Sequence, residues 1–350
     1  MRFYNQNHAY FCGIDLHART MYLCIVDSSG QIVLHQNMKC RAELLLEAVA
    51  PYRDNLVVGV ECIFTWYWMA DLCQRENIAF ALGHALYMKA IHGGKAKNDK
   101  IDSEKIARML RGGMFPLAYA YPAEKRATRD LLRRRMHLMR FRSELSAHVH
   151  NTAHQYNLPV LDLRIDRASQ RQQIPDQFPD PVVRQMVQLD IDLIGTLDTQ
   201  LKALEQDLAM KAKAHDAGAY HRVRSVRGIG RILTLVILYE IDDIHRFPSV
   251  SQFVSYARLI KCAQESAGKR LGHSGKKIGN AYLKWAFSEA AVLFLRNNPP
   301  AQQAVEKLAR RHGKGKALSI LAHRLGRCVY AMLKKGQPFD EDRFMRTLTH

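Results

Sequence analysis

Tyr10-Phe11-Cys12-Gly13-Ile14-Asp15-Leu16 runs through His17-Ala18-Arg19-Thr20 into Met21-Tyr22-Leu23-Cys24-Ile25-Val26. Two apolar runs of this length, parted by a short polar stretch, read as paired strands. Ser28-Ser29-Gly30 supplies the next turn and Ile32–His35 a third strand. Downstream the pattern changes. Ala42–Ala50 carries Leu44, Leu45, Leu46 and Ala50 at helical spacing, Leu56–Glu61 is an apolar strand, Thr65–Cys73 an aromatic-rich helix and Ile78–Leu82 another strand. From Asp99 onward a helix sets Ile101, Ile106, Ala107 and Leu110 on one side.

Three antiparallel strands followed by alternating helices and strands is the element order of an RNase H-like α/β fold, which we assign to residues 8–122. Four carboxylates fall at telling places in it. Asp15 lies inside the first strand and Glu61 closes the fourth, so the two are neighbours in a folded sheet. Asp99 and Asp102 share a helical face if the helix starts at Asn98 or Asp99. A carboxylate in an apolar strand is costly without a partner. Two divalent cations bound about 3.5–4 Å apart would supply one, and such a pair serves phosphodiester chemistry. Mg²⁺ takes hard oxygen ligands and keeps several waters, so few protein groups suffice. The bland alternative for Asp99-x-x-Asp102 is a helix N-terminal cap.

The chain of 350 residues has 52 Lys+Arg against 33 Asp+Glu, a formal charge of +19. With 47% hydrophobic residues it can bury sizeable cores, so the charge points to a polyanionic partner rather than to disorder. The 7 cysteines, Cys12, Cys24, Cys40, Cys62, Cys73, Cys262 and Cys328, form no CxxC pair and read as reduced thiols. No Cys/His group has zinc-ligand spacing. The N-terminus lacks a signal-peptide core, and runs such as Ile232–Tyr239 are too short to cross a bilayer. The expectation is a cytoplasmic protein with no membrane partner.

A long basic helix is expected over about residues 123–156, with Leu131, Leu138 and Leu145 at heptad spacing among Arg129, Arg133, Arg134, Arg135, Arg140 and Arg142. Pro159, Pro175, Pro179 and Pro181 break the chain, and a second long helix follows. Its Val187, Ile194, Leu197, Leu201, Leu204 and Leu208 form a coiled-coil seam, read as a dimerising or spacer element with an ordinary helical hairpin as the alternative. The linker so defined spans 123–215. The rest, 216–340, is mostly helical. Gly228-Ile229-Gly230 before an apolar helix reads as a helix-hairpin-helix turn whose backbone N–H groups grip phosphate, or else as a plain corner. Lys261–Gly279 reads as a glycine- and lysine-rich loop, in which Lys269, Arg270, Lys276 and Lys277 surround Ser266. On chemistry alone the loop binds phosphate; a nucleophilic serine is the other reading.

Gly13-Ile14-Asp15-Leu16-His17, Val58-Gly59-Val60-Glu61 and Lys97-Asn98-Asp99-Lys100-Ile101-Asp102-Ser103-Glu104-Lys105-Ile106-Ala107 resemble the Asp-Glu-Asp-Asp transposases of bacterial insertion sequences, a family that includes the Piv and MooV type recombinases. The likeness continues through Gly228–Gly230, Glu240–Phe247, Ser266–Arg270 and Gly279–Leu283, in order and over almost the full length. It implies a RuvC-like N-terminal domain, a coiled-coil linker and a C-terminal transposase domain. It also implies a Mg²⁺ site, with Mn²⁺ as the substitute ion, on Asp15, Glu61, Asp99 and Asp102, and a nucleophilic serine at Ser266. Donor and target DNA are the implied partners, held by Arg133–Arg135, the Gly228–Gly230 turn and the basic loop. A structured non-coding guide RNA from the same element, a homodimer that pairs into a tetramer and work at the nucleoid complete the picture. The chain has Ser266-Ala267-Gly268 where the family commonly has Ser-Gly-Gly, which leaves Ser274 as a second candidate. The implied reaction is excision and site-specific insertion. A site-specific invertase of the same family and a metal-dependent junction nuclease without a serine nucleophile are the alternatives.

Overall fold

Alternate side chains of Tyr10–Leu16 (β1) are buried on opposite faces, which makes it the central strand of a five-stranded sheet. The computed structural model describes residues 2–91, 98–158, 164–260, 262–266, 269–274 and 278–349, the two segments between 262 and 274 by backbone alone. Thr20–Asp27 (β2) pairs antiparallel with β1, and Ile32–Lys39 (β3) antiparallel with β2. Leu56–Glu61 (β4) joins the other side of β1 in parallel, followed by Ala79–Gly83 (β5), also parallel. The order is β3-β2-β1-β4-β5. Helices Ala42–Val49 (α1) and Trp66–Arg75 (α2) cover one face, where Ile14, Leu16, Val58 and Val60 meet Leu45, Met69 and Leu72. Asp99–Arg111 (α3) covers the other, where Phe11, Val26 and Val57 meet Ile106, Ala107 and Leu110.

The strands expected from alternation are present, with β2 and β3 longer by a few residues. A two-residue pairing of Phe3–Tyr4 with Phe115–Pro116 was not expected; pairs so short leave no periodic signal.

The chain divides into two compact units, Met1–Ala123 and Glu124–His350. The second begins with Ala123–Gln155 (α4, 33 residues) and Pro181–Arg224 (α5, 44 residues). Asp216 interrupts helical geometry within α5, and its carboxylate accepts a hydrogen bond from the Ala219 N–H at 2.7 Å, restarting the helix. The two helices run antiparallel: Arg135 pairs with Glu205, Arg142 with Asp198 and His148 with Asp190, so numbers rise along one as they fall along the other. The coiled-coil seam is therefore closed within the chain. Val187, Ile194, Leu197, Leu201 and Leu208 are buried, the first two in one cluster with Val149 and Ala153 of α4. Of the readings weighed for that seam, the helical hairpin is the one the structure shows.

Beyond α5, Arg231–Ile241 (α6), Val250–Tyr256 (α7), Ala281–Phe294 (α8), Pro299–His312 (α9), Lys314–Lys335 (α10) and Glu341–Thr349 (α11) share one large core. Ala286, Ala290, Ala317 and Ala322 lie in it, small residues that let helices approach closely. Lys261–Gly279 is not all loop: Cys262–Ser266 (β6) and Lys269–Ser274 (β7) form an antiparallel hairpin with Ser266 opposite Lys269. Its Gly, Lys and Ser content masks a hairpin signal in which two runs flank Ala267-Gly268. Among the described residues no helix is long and apolar enough to cross a membrane.

Candidate functional site

The register of β1 and β4 brings the first two carboxylates together. Ile14 lies opposite Val60 in the parallel pair, so Asp15 and Glu61 are the next step along both strands. Alternation then gives them the same face. Phe11 and Val57 contact the α3 side, Gly13 and Gly59 follow them, and Asp15 and Glu61 come next. The glycines let α3 come close. A Cβ at Gly13 would lie 2.3 Å from the Ala107 nitrogen and 2.3 Å from the Ser103 carbonyl oxygen. From Gly13 beneath Ala107 and Ser103 to His17 beside Asp99, α3 runs antiparallel to β1, so its first turn arrives over the strand end that carries Asp15.

Asn98 caps α3. Its side-chain oxygen accepts the Ile101 N–H at 2.8 Å. That removes the bland reading of Asp99 and Asp102 as the cap itself. His35 Nε2 lies 3.1 Å from the Lys100 carbonyl oxygen, tying the same turn to β3. Asp102 pairs with Lys105 at 3.2 Å. Asp99 meets the sheet through a residue that sequence reasoning left out of the site: His17 Nε2 is 3.4 Å from Asp15 Oδ2 and 3.4 Å from Asp99 Oδ1. One donor atom from each of Asp15, His17 and Asp99 lies within 4.8 Å of the others. The Asp15 side chain is 17% exposed, whereas those of His17 and Asp99 are about half exposed, so the cluster opens to solvent on one side. Carboxylate oxygens and an imidazole nitrogen at this spacing are a donor set that fits a divalent cation.

The other sequence candidates lie in the second unit. The hairpin that carries Ser266 leaves from the end of α7 and returns at the start of α8, and its base is clamped. The Asn280 N–H donates to the Tyr256 carbonyl at 2.6 Å, and Arg258 Nε donates to the Ile278 carbonyl at 2.9 Å. Asn280 Nδ2 also donates to Glu240 at 2.7 Å. Glu240 is almost fully buried and further receives Arg133 at 2.7 and 2.8 Å and Arg129 at 3.2 Å. Burial alone would raise the carboxyl's pKa. Arg133, Arg129 and Asn280 outweigh it and hold the group below the ordinary glutamate value.

Arg133 is thus bound to Glu240, and Arg135 to Glu205. Of the expected trio only Arg134 is exposed. Gly228 has φ +79° and lies against Phe294, where a Cβ would sit 2.5 Å from the backbone nitrogen, so its first role is packing the α5–α6 corner onto α8. Gly230 precedes α6 with open space at its Cβ position, as close backbone approach to a phosphate requires. The side chains of Ser266, Lys269 and Arg270, and all of Lys276 and Lys277, lie outside the described residues.

Comparison with known proteins gives these features a common setting. The profile of the DEDD transposases of IS110 type matches residues 12–158, the stretch that holds all four carboxylates. The Transposase IS116/IS110/IS902 family profile matches residues 220–306, from the Gly228–Gly230 corner past the serine hairpin. The transposase for insertion sequence element IS1111A of Coxiella burnetii is 22% identical over 339 residues, covering 93% of this chain and 90% of that protein. The chain is a transposase, an enzyme that cleaves and rejoins DNA. It belongs to the IS110-type family of DEDD transposases.

Proposed function

We propose that this transposase excises and inserts an insertion sequence by serine-dependent, metal-assisted strand exchange, with an RNase H-like, RuvC-like first unit as its metal-binding half. The observation that carries the reading is the convergence of Asp15, Glu61 and the first turn of α3 at one end of the central strands. Asp15, Glu61, Asp99 and Asp102 hold the cations, Mg²⁺ or Mn²⁺. Divalent ions held there supply Lewis-acid charge at a phosphate and stabilise a leaving oxygen. Ser266 is the nucleophile. Its Oγ bonds to phosphorus, one P–O bond to deoxyribose breaks, and the serine's proton passes to the released sugar oxygen. Rejoining is the reverse, with a sugar hydroxyl from the other DNA displacing Ser266.

Nucleic acid binds through backbone contacts, for which Arg134, Gly230, Lys269, Arg270, Lys276 and Lys277 are the proposed groups. The charge of +19 suits a protein that holds nucleic-acid backbones, and a structured guide RNA that pairs with both DNAs is the further partner proposed. Oligomerisation is assigned to a stripe other than the buried seam. Val182, Met186, Leu189 and Leu193 repeat at helical spacing along α5 and are exposed. A homodimer on this stripe, from which a tetramer assembles, lets carboxylates and serine come from different subunits.

The test is to incubate the protein with element-end DNA, trap covalent adducts by denaturation and map the DNA-linked peptide by mass spectrometry. A nucleotide on Ser266, absent from Ser266→Ala, is the expected result. Full cleavage and joining by Ser266→Ala would make the protein a metal-only junction nuclease.

A further inference from the structure

His17 stands between two of the carboxylates, Asp15 and Asp99, and the family reading gives it no task. Its backbone is fixed: the His17 N–H donates to the Thr20 carbonyl at 3.0 Å, closing the β1–β2 connection. Position 17 is two residues beyond Asp15, so strand alternation turns both side chains to the α3 face. Nε2 lies 3.4 Å from each of Asp15 Oδ2 and Asp99 Oδ1. Charge-assisted N–H···O bonds close to about 2.7–2.9 Å. Both contacts are longer than that, and equal. Ligand atoms about 2.1 Å from one cation stand about 3–3.5 Å from each other. The two imidazole–carboxylate pairs therefore have the spacing of ligands around an ion rather than that of a settled hydrogen bond, and all three donor atoms lie within 4.8 Å of one another. The side chain is 48% exposed, so it borders the open mouth of the cluster, where an ion and a phosphate enter.

We propose that His17 is a nitrogen ligand of the cation held by Asp15 and Asp99, making one metal position a mixed imidazole–carboxylate site. This rests on the reading of the carboxylates as a metal centre. It has a consequence for ion choice. An all-oxygen site suits Mg²⁺, whereas imidazole is a borderline donor that favours first-row transition ions. The position shared by Asp15, His17 and Asp99 takes Mn²⁺ in preference to Mg²⁺.

Pulsed EPR of the full-length protein loaded with Mn²⁺ reads nitrogen ligation directly, without any turnover. Wild type should show ¹⁴N modulation at the ion, converted to the ¹⁵N pattern when the protein carries ¹⁵N-histidine. His17→Gln should lose it, keep its melting temperature and bind Mn²⁺ about tenfold more weakly, with Mg²⁺ affinity little changed. Two failures are distinct. Wild type that binds no Mn²⁺ at millimolar concentration overturns the metal reading of the carboxylates, and this inference with it. Wild type that binds Mn²⁺ without histidine nitrogen coupling, or coupling that survives in folded His17→Gln, overturns the His17 assignment alone.

Discussion

Gly13 shows how a single missing atom positions the site. Its neighbours across the gap are backbone atoms of α3, which cannot swing aside as a side chain could. Gly13→Ala forces α3 off the sheet, and overpacking of this kind costs about 1–3 kcal/mol. The displacement carries Asp99 away from Asp15 and His17. We expect a melting temperature lower by several degrees and weaker Mn²⁺ binding, read by differential scanning calorimetry and titration calorimetry. Glu240 makes a different residue-scale statement. Its carboxyl is held below the ordinary value of 4.5. Its ion pairs therefore contribute stability fully above the unfolded glutamate pKa, and that contribution is lost as pH falls through the lower, folded pKa. Wild type should lose more melting temperature than Glu240→Gln between pH 6 and pH 3, as about those limits bracket the unfolded value. At neutral pH, Glu240→Ala takes the buried carboxylate away from Arg129 and Arg133 and should cost about 3–5 kcal/mol in urea unfolding.

At the scale of elements, α5 has two apolar stripes with opposite fates. Val183, Val187, Ile191 and Ile194 are buried, while Val182, Met186, Leu189 and Leu193 face solvent. Leu189→Glu should leave the melting temperature within a degree or two and shift sedimentation toward the monomer. Ile191→Glu, which buries a charge, should unfold the unit. The seam was legible as a seam, but period alone does not say which helix completes it. The numbering of the Arg142–Asp198 and His148–Asp190 pairs does, and those contacts are non-local. The sheet was easier to read. β1, β4 and β5 have a long apolar pattern bounded by turns, and the carboxylates Asp15 and Glu61 stand out against it. His17 did not stand out, because a histidine beside an aspartate is ordinary until Asp99 arrives from 82 positions away in the chain. The β6–β7 hairpin was hidden by residues typical of loops.

Across the whole molecule, the carboxylates and the proposed serine belong to different compact units, Met1–Ala123 and Glu124–His350. The two family profiles also part them, the carboxylates falling in the one over 12–158, which runs on into the second unit, and the serine in the one over 220–306. Neither unit by itself holds both halves of the proposed chemistry, and the sharing of a site between subunits is part of the proposal, drawn from the family resemblance. The claim on which everything else depends is that the cluster around Asp15 drives strand cleavage. Asp15→Asn keeps size and hydrogen-bonding capacity but removes the charge a cation needs. Cleavage of labelled element-end DNA in saturating Mg²⁺ or Mn²⁺, compared between wild type and folded Asp15→Asn, measures this most directly. We expect cleavage to fall by about a hundredfold to a thousandfold, the scale set by loss of one preorganised electrostatic group, with DNA binding retained. Cleavage by Asp15→Asn within a few-fold of wild type would contradict the account.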